Sequence, residues 1–119
     1  PLVASFQFNE DVVTLVNVHL TARGGSDPLW GAIQPPANAG DAARIAQAQG
    51  VRDFIDAQLA ANPAANIAVL GDFNGFGWEA SIGRLTAGGA MQNLSDRLPV
   101  AERYTYQFDG NNQQLDHII

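Results

Sequence analysis

The apolar run at residues 12–20 constrains the fold of this chain more than any other feature. Its side chains alternate between two faces, and both faces are largely apolar, which is typical of a strand covered on both sides. Asn17 and His19 lie towards its carboxyl end and share a face. A polar turn at 9–11 separates this run from an alternating run at 2–8, so the sequence predicts a β-hairpin.

A helix and a second buried strand are predicted next. The connection at 21–40 is rich in Gly, Pro and Asp, and a loop of that length is uncommon unless it has a function. Apolar residues at helical spacing over 45–59 predict a helix that Asp41 caps and that the Asn62-Pro63 dipeptide ends. The short apolar run at 66–71 predicts a buried strand.

The remaining segments are shorter. We predict weak helices at 79–85 and 91–98, a turn at 109–112, and strands at 104–108 and 114–119. The resulting order of strands and helices indicates one α/β domain with a layered, mixed sheet over residues 1–119.

Composition restricts the chemistry. The chain has no cysteine, so any metal is held by oxygen or imidazole, which favours magnesium, calcium or manganese. The net charge is −6 and all six basic residues are arginine, which counts against a nucleic-acid partner unless a bound divalent cation reverses the local field. No apolar run is long enough for a membrane span, and no signal-peptide pattern occurs.

Asp72 and Asn74 are the leading candidates for a site. They lie two residues apart where a predicted buried strand meets its loop, and ligands in α/β sheets gather at the carboxyl ends of strands. A carboxylate and an amide there can hold a water or metal together with a phosphate oxygen. In the alternative interpretation, Asp72 caps the loop backbone and Asn74 forms a turn. Spacing alone leaves both open.

His19 and Arg23 follow the end of the other buried strand. An imidazole can serve as general acid or base, although a lone strand histidine is more often a core residue bonded to a carbonyl. Arg23 can bind phosphate in bidentate fashion, with a solvated loop arginine as the alternative.

The last strand carries Asp116 and His117 side by side. Neighbours in a strand point to opposite faces, so the two side chains are predicted not to act together. Thr105 lies between Tyr104 and Tyr106, and we interpret the tyrosines as core residues rather than a platform for base stacking.

Taken in order, these segments resemble a known family. Asn-Val-His-Leu at 17–20, Gly-Asp-Phe-Asn at 71–74, Tyr-Thr-Tyr at 104–106 and Leu-Asp-His-Ile at 115–118 are similar to the endonuclease/exonuclease/phosphatase superfamily, and in detail to its bacterial extracellular-nuclease branch. The resemblance implies a partial four-layer α/β sandwich with a mixed, mainly antiparallel sheet. It also implies metal-dependent phosphodiester hydrolysis of DNA or RNA, with Mg²⁺ as the metal and Mn²⁺ or Ca²⁺ as alternatives.

The resemblance also implies roles for particular residues. Asp72 would orient or activate the attacking water, also through the metal, and Asn74 would bind and polarise the phosphate. His19 would contact phosphate and assist proton transfer, while Asp116 would orient a second histidine. The same comparison implies phosphate contacts at Arg23, Thr105 and Asn17. His117 matches no catalytic position.

The chain departs from the family pattern at both ends. The family's metal-binding Glu would precede Pro1, and its final Ser-Asp-His segment would follow Ile119. The resemblance therefore implies the carboxyl-terminal half of a domain, with little activity alone and an exposed sheet edge or face that favours a homo-oligomer. An extracellular or periplasmic location is implied in the same way. The alternatives are a phosphatase, a phospholipid-headgroup phosphodiesterase, and a non-catalytic binding or scaffold module.

Overall fold

A computed structural model describes all residues, 1–119. In chain order the main elements are β1 (Leu2–Phe8), β2 (Asp11–His19), α1 (Asp41–Ala61), β3 (Asn66–Asp72), α2 (Ala80–Thr86), β4 (Tyr106–Phe108), β5 (Asn111–Gln113) and β6 (Asp116–Ile118). Short 3₁₀ turns lie at Ala87–Gly89, Leu94–Arg97 and Val100–Glu102. No helix is both long enough and apolar enough to cross a membrane.

The main sheet has the strand order β1-β2-β3-β6. β1 and β2 form the predicted antiparallel hairpin, β2 and β3 pair in parallel through the α1 crossover, and β6 pairs antiparallel with β3. β4 and β5 form a separate two-stranded antiparallel sheet. The predicted α/β class with a mixed, mainly antiparallel sheet is confirmed.

Both helices pack against one face of the main sheet. The buried cluster joins β2 and β3 to the apolar stripe of α1 and to α2, and its members include Val16, Val18, Val69, Ala48, Val51, Ile55, Ile82 and Leu85. Burying each larger aliphatic side chain contributes about 1.5–3 kcal/mol. This cluster is the core of the chain, and it fixes the ends of β2 and β3 next to each other.

The opposite face of the sheet is open, so the prediction that β2 is covered on both sides is wrong. The side chains of Leu2, Phe6, Phe8 and Ile118 are 46–68% exposed on this face. The apolar alternation of β2 is real, but the two helices cover only the face that carries Val16 and Val18.

The start of α1 also differs from the prediction. Gly40, and not Asp41, is the N-cap residue, and no side chain caps the helix. Gly40 has a φ of 76°, and a Cβ there would lie 2.9 Å from Cγ2 of Thr21. Asp41 instead lies in the first turn, where a carboxylate interacts favourably with the helix dipole. The predicted end is confirmed, since Asn62 is the C-cap.

The predicted helix at 91–98 is wrong. Only one 3₁₀ turn forms there, Leu94–Arg97, with the Asn93 side chain accepting a hydrogen bond from the Ser95 amide. Leu98 is already extended, the conformation that a residue before proline favours. The short helix predicted at 79–85 is present as α2.

Candidate active site

Three of the four predicted catalytic residues form a row across the carboxyl end of the sheet. His19 of β2 pairs in register with Asp72 of β3, and Asp72 pairs with Asp116 of β6. Paired residues in adjacent strands share a face, so all three lie on the open face. His19 Nε2 is 3.5 Å from Asp72 Oδ2. We call these three residues the open row.

Asp72 leaves β3 through an unusual backbone. The preceding Gly71 has a φ of 131°, and a Cβ there would lie 2.1 Å from the Val18 carbonyl oxygen, so glycine is required. Asp72 Oδ1 then accepts a hydrogen bond of 2.7 Å from the backbone N–H of Asn74. The loop-capping interpretation of Asp72 is therefore confirmed, yet it engages only one carboxylate oxygen. Oδ2 remains for chemistry beside His19.

Asn74 is held on both sides. It has a left-handed φ of 47°, which asparagine tolerates better than most residues. Its side-chain Nδ2 donates to the Leu20 carbonyl oxygen at 3.0 Å, which ties this loop to the end of β2. Its own carbonyl oxygen accepts from Arg23 Nη1 at 3.2 Å. The side-chain amide of Asn74 therefore has a fixed orientation. One of its two N–H groups bonds to the Leu20 carbonyl oxygen, and the other has no part in that bond.

Arg23 is part of a buried charge network that the sequence analysis missed. Arg23 Nη1 is 2.7 Å from Glu79 Oε1, which also accepts from Asn38 at 3.3 Å. Arg44 is completely buried and donates to Asn38 Oδ1 at 2.6 Å, with Glu79 3.9 Å away. Burial lowers the pKa of Arg44, and the Glu79 charge opposes that shift.

One sequence signal pointed to this network. Arg44 lies four residues before Ala48 on the buried stripe of α1, a position where an unpaired charge is costly. Asn38 lies in a loop and Glu79 lies at the start of α2. Neither has a sequence feature that predicts its place in the network. Together they hold Arg23 against the loop at 71–74, which makes them positioning residues for that loop.

A cleft of about 640 Å³ opens beside the open row. Its walls include Arg23, Asp72, Asn74 and Asp116, with Tyr106 and Phe108 contributed by the β4–β5 hairpin. The volume is within the usual range for small-ligand sites. The cleft thus brings together two predicted catalytic carboxylates and two predicted phosphate ligands.

Thr105 supports β6 through its side chain. Its Oγ1 accepts hydrogen bonds from the backbone amides of Leu115 and Asp116, at 3.2 and 3.1 Å. This contact holds the strand that carries Asp116. The flanking tyrosines are 46–52% exposed, so their assignment to the core is wrong. The hairpin forms its own small sheet beside the cleft, and neither ring is enclosed.

Asn17 stands apart from the cleft. It lies on the open face two residues before His19 and is exposed. Its Oδ1 is 2.8 Å from the position that a Cβ of Gly71 would occupy, so the side chain lies over the β3 backbone. The predicted phosphate contact at Asn17 has no support from its position, whereas Arg23 and Asn74 both border the cleft.

His117 has a structural environment. It is 2% exposed, its Nε2 lies 2.8 Å from the Gly75 carbonyl oxygen, and its Nδ1 lies 3.1 Å from Asn93 Nδ2. The proton is therefore assigned to Nε2, since a carbonyl only accepts. Burial lowers the pKa of His117, although its bond to Gly75 and the charge of Asp116 oppose the shift. The prediction that Asp116 and His117 face opposite ways is confirmed.

The residues present fit a hydrated magnesium ion. No group of three or more His, Cys, Asp or Glu side chains could enclose a metal. Mg²⁺, however, usually takes one or two carboxylates and completes its shell with water and substrate phosphate. Asp72 and Asp116 supply such carboxylates in adjacent strands at the cleft.

The arrangement brings groups of the kind that transfer protons close to groups of the kind that bind anions. His19 and Asp72 can move a proton, while Arg23 and Asn74 offer donors to a phosphate group. No protein-family model matches this chain, and a search of curated proteins finds no significant match.

Proposed function

We propose that this protein hydrolyses phosphodiester bonds of DNA or RNA with the help of Mg²⁺. The observation that supports the proposal is the open row, whose two aspartates line a cleft that Arg23 and Asn74 also border, with His19 next to Asp72. General acid–base groups next to phosphate ligands are the minimum that this reaction requires.

Each side chain has a distinct task in this mechanism. Asp72 Oδ2 orients the attacking water, whose oxygen forms a bond to phosphorus as the bond to the leaving oxygen breaks. His19, 3.5 Å from that carboxylate, moves a proton between the reacting groups. Asn74 and Arg23 hold the phosphate oxygens in line. Asp72 and Asp116 are the carboxylates that would hold a Mg²⁺ ion, which would supply positive charge to stabilise the negative charge that develops on the phosphate oxygens.

The first test is cleavage of plasmid DNA with and without Mg²⁺ or Mn²⁺, by this chain and by a chain extended at both ends. The motif resemblance implies further site residues outside residues 1–119, so we expect metal-dependent cleavage mainly from the longer chain. Cleavage by neither chain would direct attention to small phosphodiesters.

The decisive variant is Asp72→Asn in the cleaving chain. The change keeps the shape of the side chain but removes its charge, and we expect the rate to fall by about 10²–10⁴. Asp11→Asn, at the exposed far end of β2, is the matched control and should leave the rate unchanged. Equal rates for Asp72→Asn and the parent chain would exclude the mechanism and favour a non-catalytic binding or scaffold module.

A second candidate has its own supporting observation. The net charge of −6 and the absence of lysine suit a small substrate better than a long polyanion. A phosphatase or a phospholipid-headgroup phosphodiesterase with the same site would meet that condition. Faster turnover of a headgroup-sized diester or monoester than of an oligonucleotide would favour it.

The open face suggests a protein partner. Its exposed Leu2, Phe6, Phe8 and Ile118 form an apolar surface of the kind that associates with another chain or segment. A homo-oligomer through this face or through the β1 edge is the form we propose. Light scattering over a range of protein concentrations measures the oligomeric state.

We also propose an extracellular or periplasmic location, which the motif resemblance implies.

A further inference from the structure

The loop after Asn74 presents two stacked aromatic rings that the proposed chemistry does not use. The ring of Trp78 lies parallel to that of Phe76, at 4.7 Å between centroids and 8° between planes. The guanidinium of Arg23 lies over Phe76, 4.4 Å from the centroid of the ring. Because Trp78 covers one face of the Phe76 ring, the guanidinium lies on the opposite face. Phe76 is buried, while Trp78 is 76% exposed. The stack therefore ends in an open indole face.

A pocket of about 520 Å³ adjoins this indole. A second exposed tryptophan, Trp30, lines it together with four amide-bearing residues, Asn111, Asn112, Gln113 and Gln114. Planar aromatic surfaces stack on other rings, and amide side chains pair with the donor and acceptor edges of nucleobases. The pocket thus combines a face for stacking with groups for edge contacts.

The pocket lies next to the cleft that Asp72 and Asn74 line. Leu29, Phe76 and Gln113 border both spaces. A nucleotide whose phosphate lies in the cleft would therefore have this pocket within reach of its base. A headgroup diester, which has no ring, would leave the pocket unfilled.

The charges of the chain favour base contacts over backbone contacts. Arg44 is buried beside Glu79, Arg52 pairs with Asp56 and Arg103 pairs with Asp96. Few cations remain to bind a run of phosphates, so electrostatic affinity for a duplex is weak. Bases of a single strand are free to stack, and stacking compensates for the missing cations.

We propose that Trp78 and its adjoining pocket bind an unpaired nucleobase next to the scissile phosphate, which makes single-stranded nucleic acid the substrate class. This inference rests on the proposed phosphodiester hydrolysis, and it adds a base subsite to that reaction. Trp78 is the specificity-determining residue, because it alone gives the stack its open end.

The test compares two labelled oligonucleotides of equal length and charge, one of thymidines and one abasic, by fluorescence anisotropy without divalent metal. We expect the parent chain to bind the thymidine strand about tenfold more tightly, as one base stacked on an aromatic ring allows. Trp78→Ala should bring both strands to the same affinity, and Trp78→Phe should retain most of the preference. Ile33→Ala, which removes an exposed apolar side chain that lines neither the pocket nor the cleft, is the control and should leave the preference unchanged.

The outcomes separate this inference from the proposed function. Equal affinity of the parent chain for both strands, or an unchanged preference in Trp78→Ala, would overturn the base subsite. The chemistry alone is tested with a diester that carries no base. The parent chain should hydrolyse this diester, and Asp72→Asn should not. A base preference without such hydrolysis would retain the subsite and remove the catalytic proposal.

Discussion

Two rows of residues cross the carboxyl end of the sheet one position apart, and they lie on opposite faces. The open row, His19–Asp72–Asp116, lies on the open face of the sheet, whereas the preceding row, Val18–Gly71–His117, lies against the packed side. We call the second the covered row. Each contains one histidine, but the side chain of His19 is 75% exposed and His117 is buried. Strand alternation thus separates chemistry from stability within a single step along the chain.

The most disruptive change should be Gly71→Ala in the covered row. A Cβ would collide with the Val18 carbonyl oxygen and the φ of 131° would be strained, so we expect a loss of about 3 kcal/mol or more in the free energy of unfolding. Gly50→Ala is the matched control, since it lies inside α1 with open space around it and should stabilise by about 0.5–1 kcal/mol. Urea denaturation measures both, and similar values for the two variants would contradict the account of the loop.

The two histidines provide the second test of the comparison. His117→Ala removes the bonds to Gly75 and Asn93 and leaves a cavity, so the free energy of unfolding should fall by about 2–3 kcal/mol. His19→Ala should change it by less than about 0.5 kcal/mol, because that side chain is exposed. Denaturation measures these stability losses. Hydrolysis assays on the folded fraction should show the reverse order, with a larger loss of activity in His19→Ala than in His117→Ala. A large loss of stability in His19→Ala would mean that the open row is structural too.

The smallest expected effect is a pH dependence that comes from His117. Its folded-state pKa is lowered by burial, so the unfolded chain binds this proton more readily. Its contribution is complete above the unfolded value of about 6.5 and is lost as pH falls through the lower folded value, by at most about 1.4 kcal/mol per pH unit. Thermal unfolding between pH 7 and 5 should show this decline, and His117→Gln should flatten it. An identical pH profile in that variant would assign the decline to other groups.

Local sequence patterns predicted most of the fold because their signals are local. The β1–β2 hairpin, the span and end of α1 and the position of β3 follow from alternation, helical spacing and the proline at 63. The number of covered faces of β2 was predicted wrongly, because the alternation of a strand does not reveal how many layers pack on it. The cap of α1 was also wrong, since the close approach of Thr21 selects glycine at position 40.

The candidate site was partly predictable for a related reason. Asp72, Asn74 and His19 stand at strand ends, and strand register brings them together, so their grouping could be inferred. Glu79 could not, because its contact with Arg23 depends on the path of two loops. The exposure of Tyr104 and Tyr106 likewise depends on where the small hairpin lies, which their own sequence does not encode.

The α1 crossover has a consequence for the order in which this protein folds. The bond between Asn74 and the Leu20 carbonyl joins positions that are 54 residues apart, so the chain between them must close before it can form. Long-range parallel pairing is slow, because loop-closure entropy is lost before the contacts that offset it appear. The hairpin of β1 and β2, which is local, should therefore assemble first. Recovery of ligand binding after dilution from denaturant should lag behind the recovery of β-structure, since the site exists only once the crossover has docked.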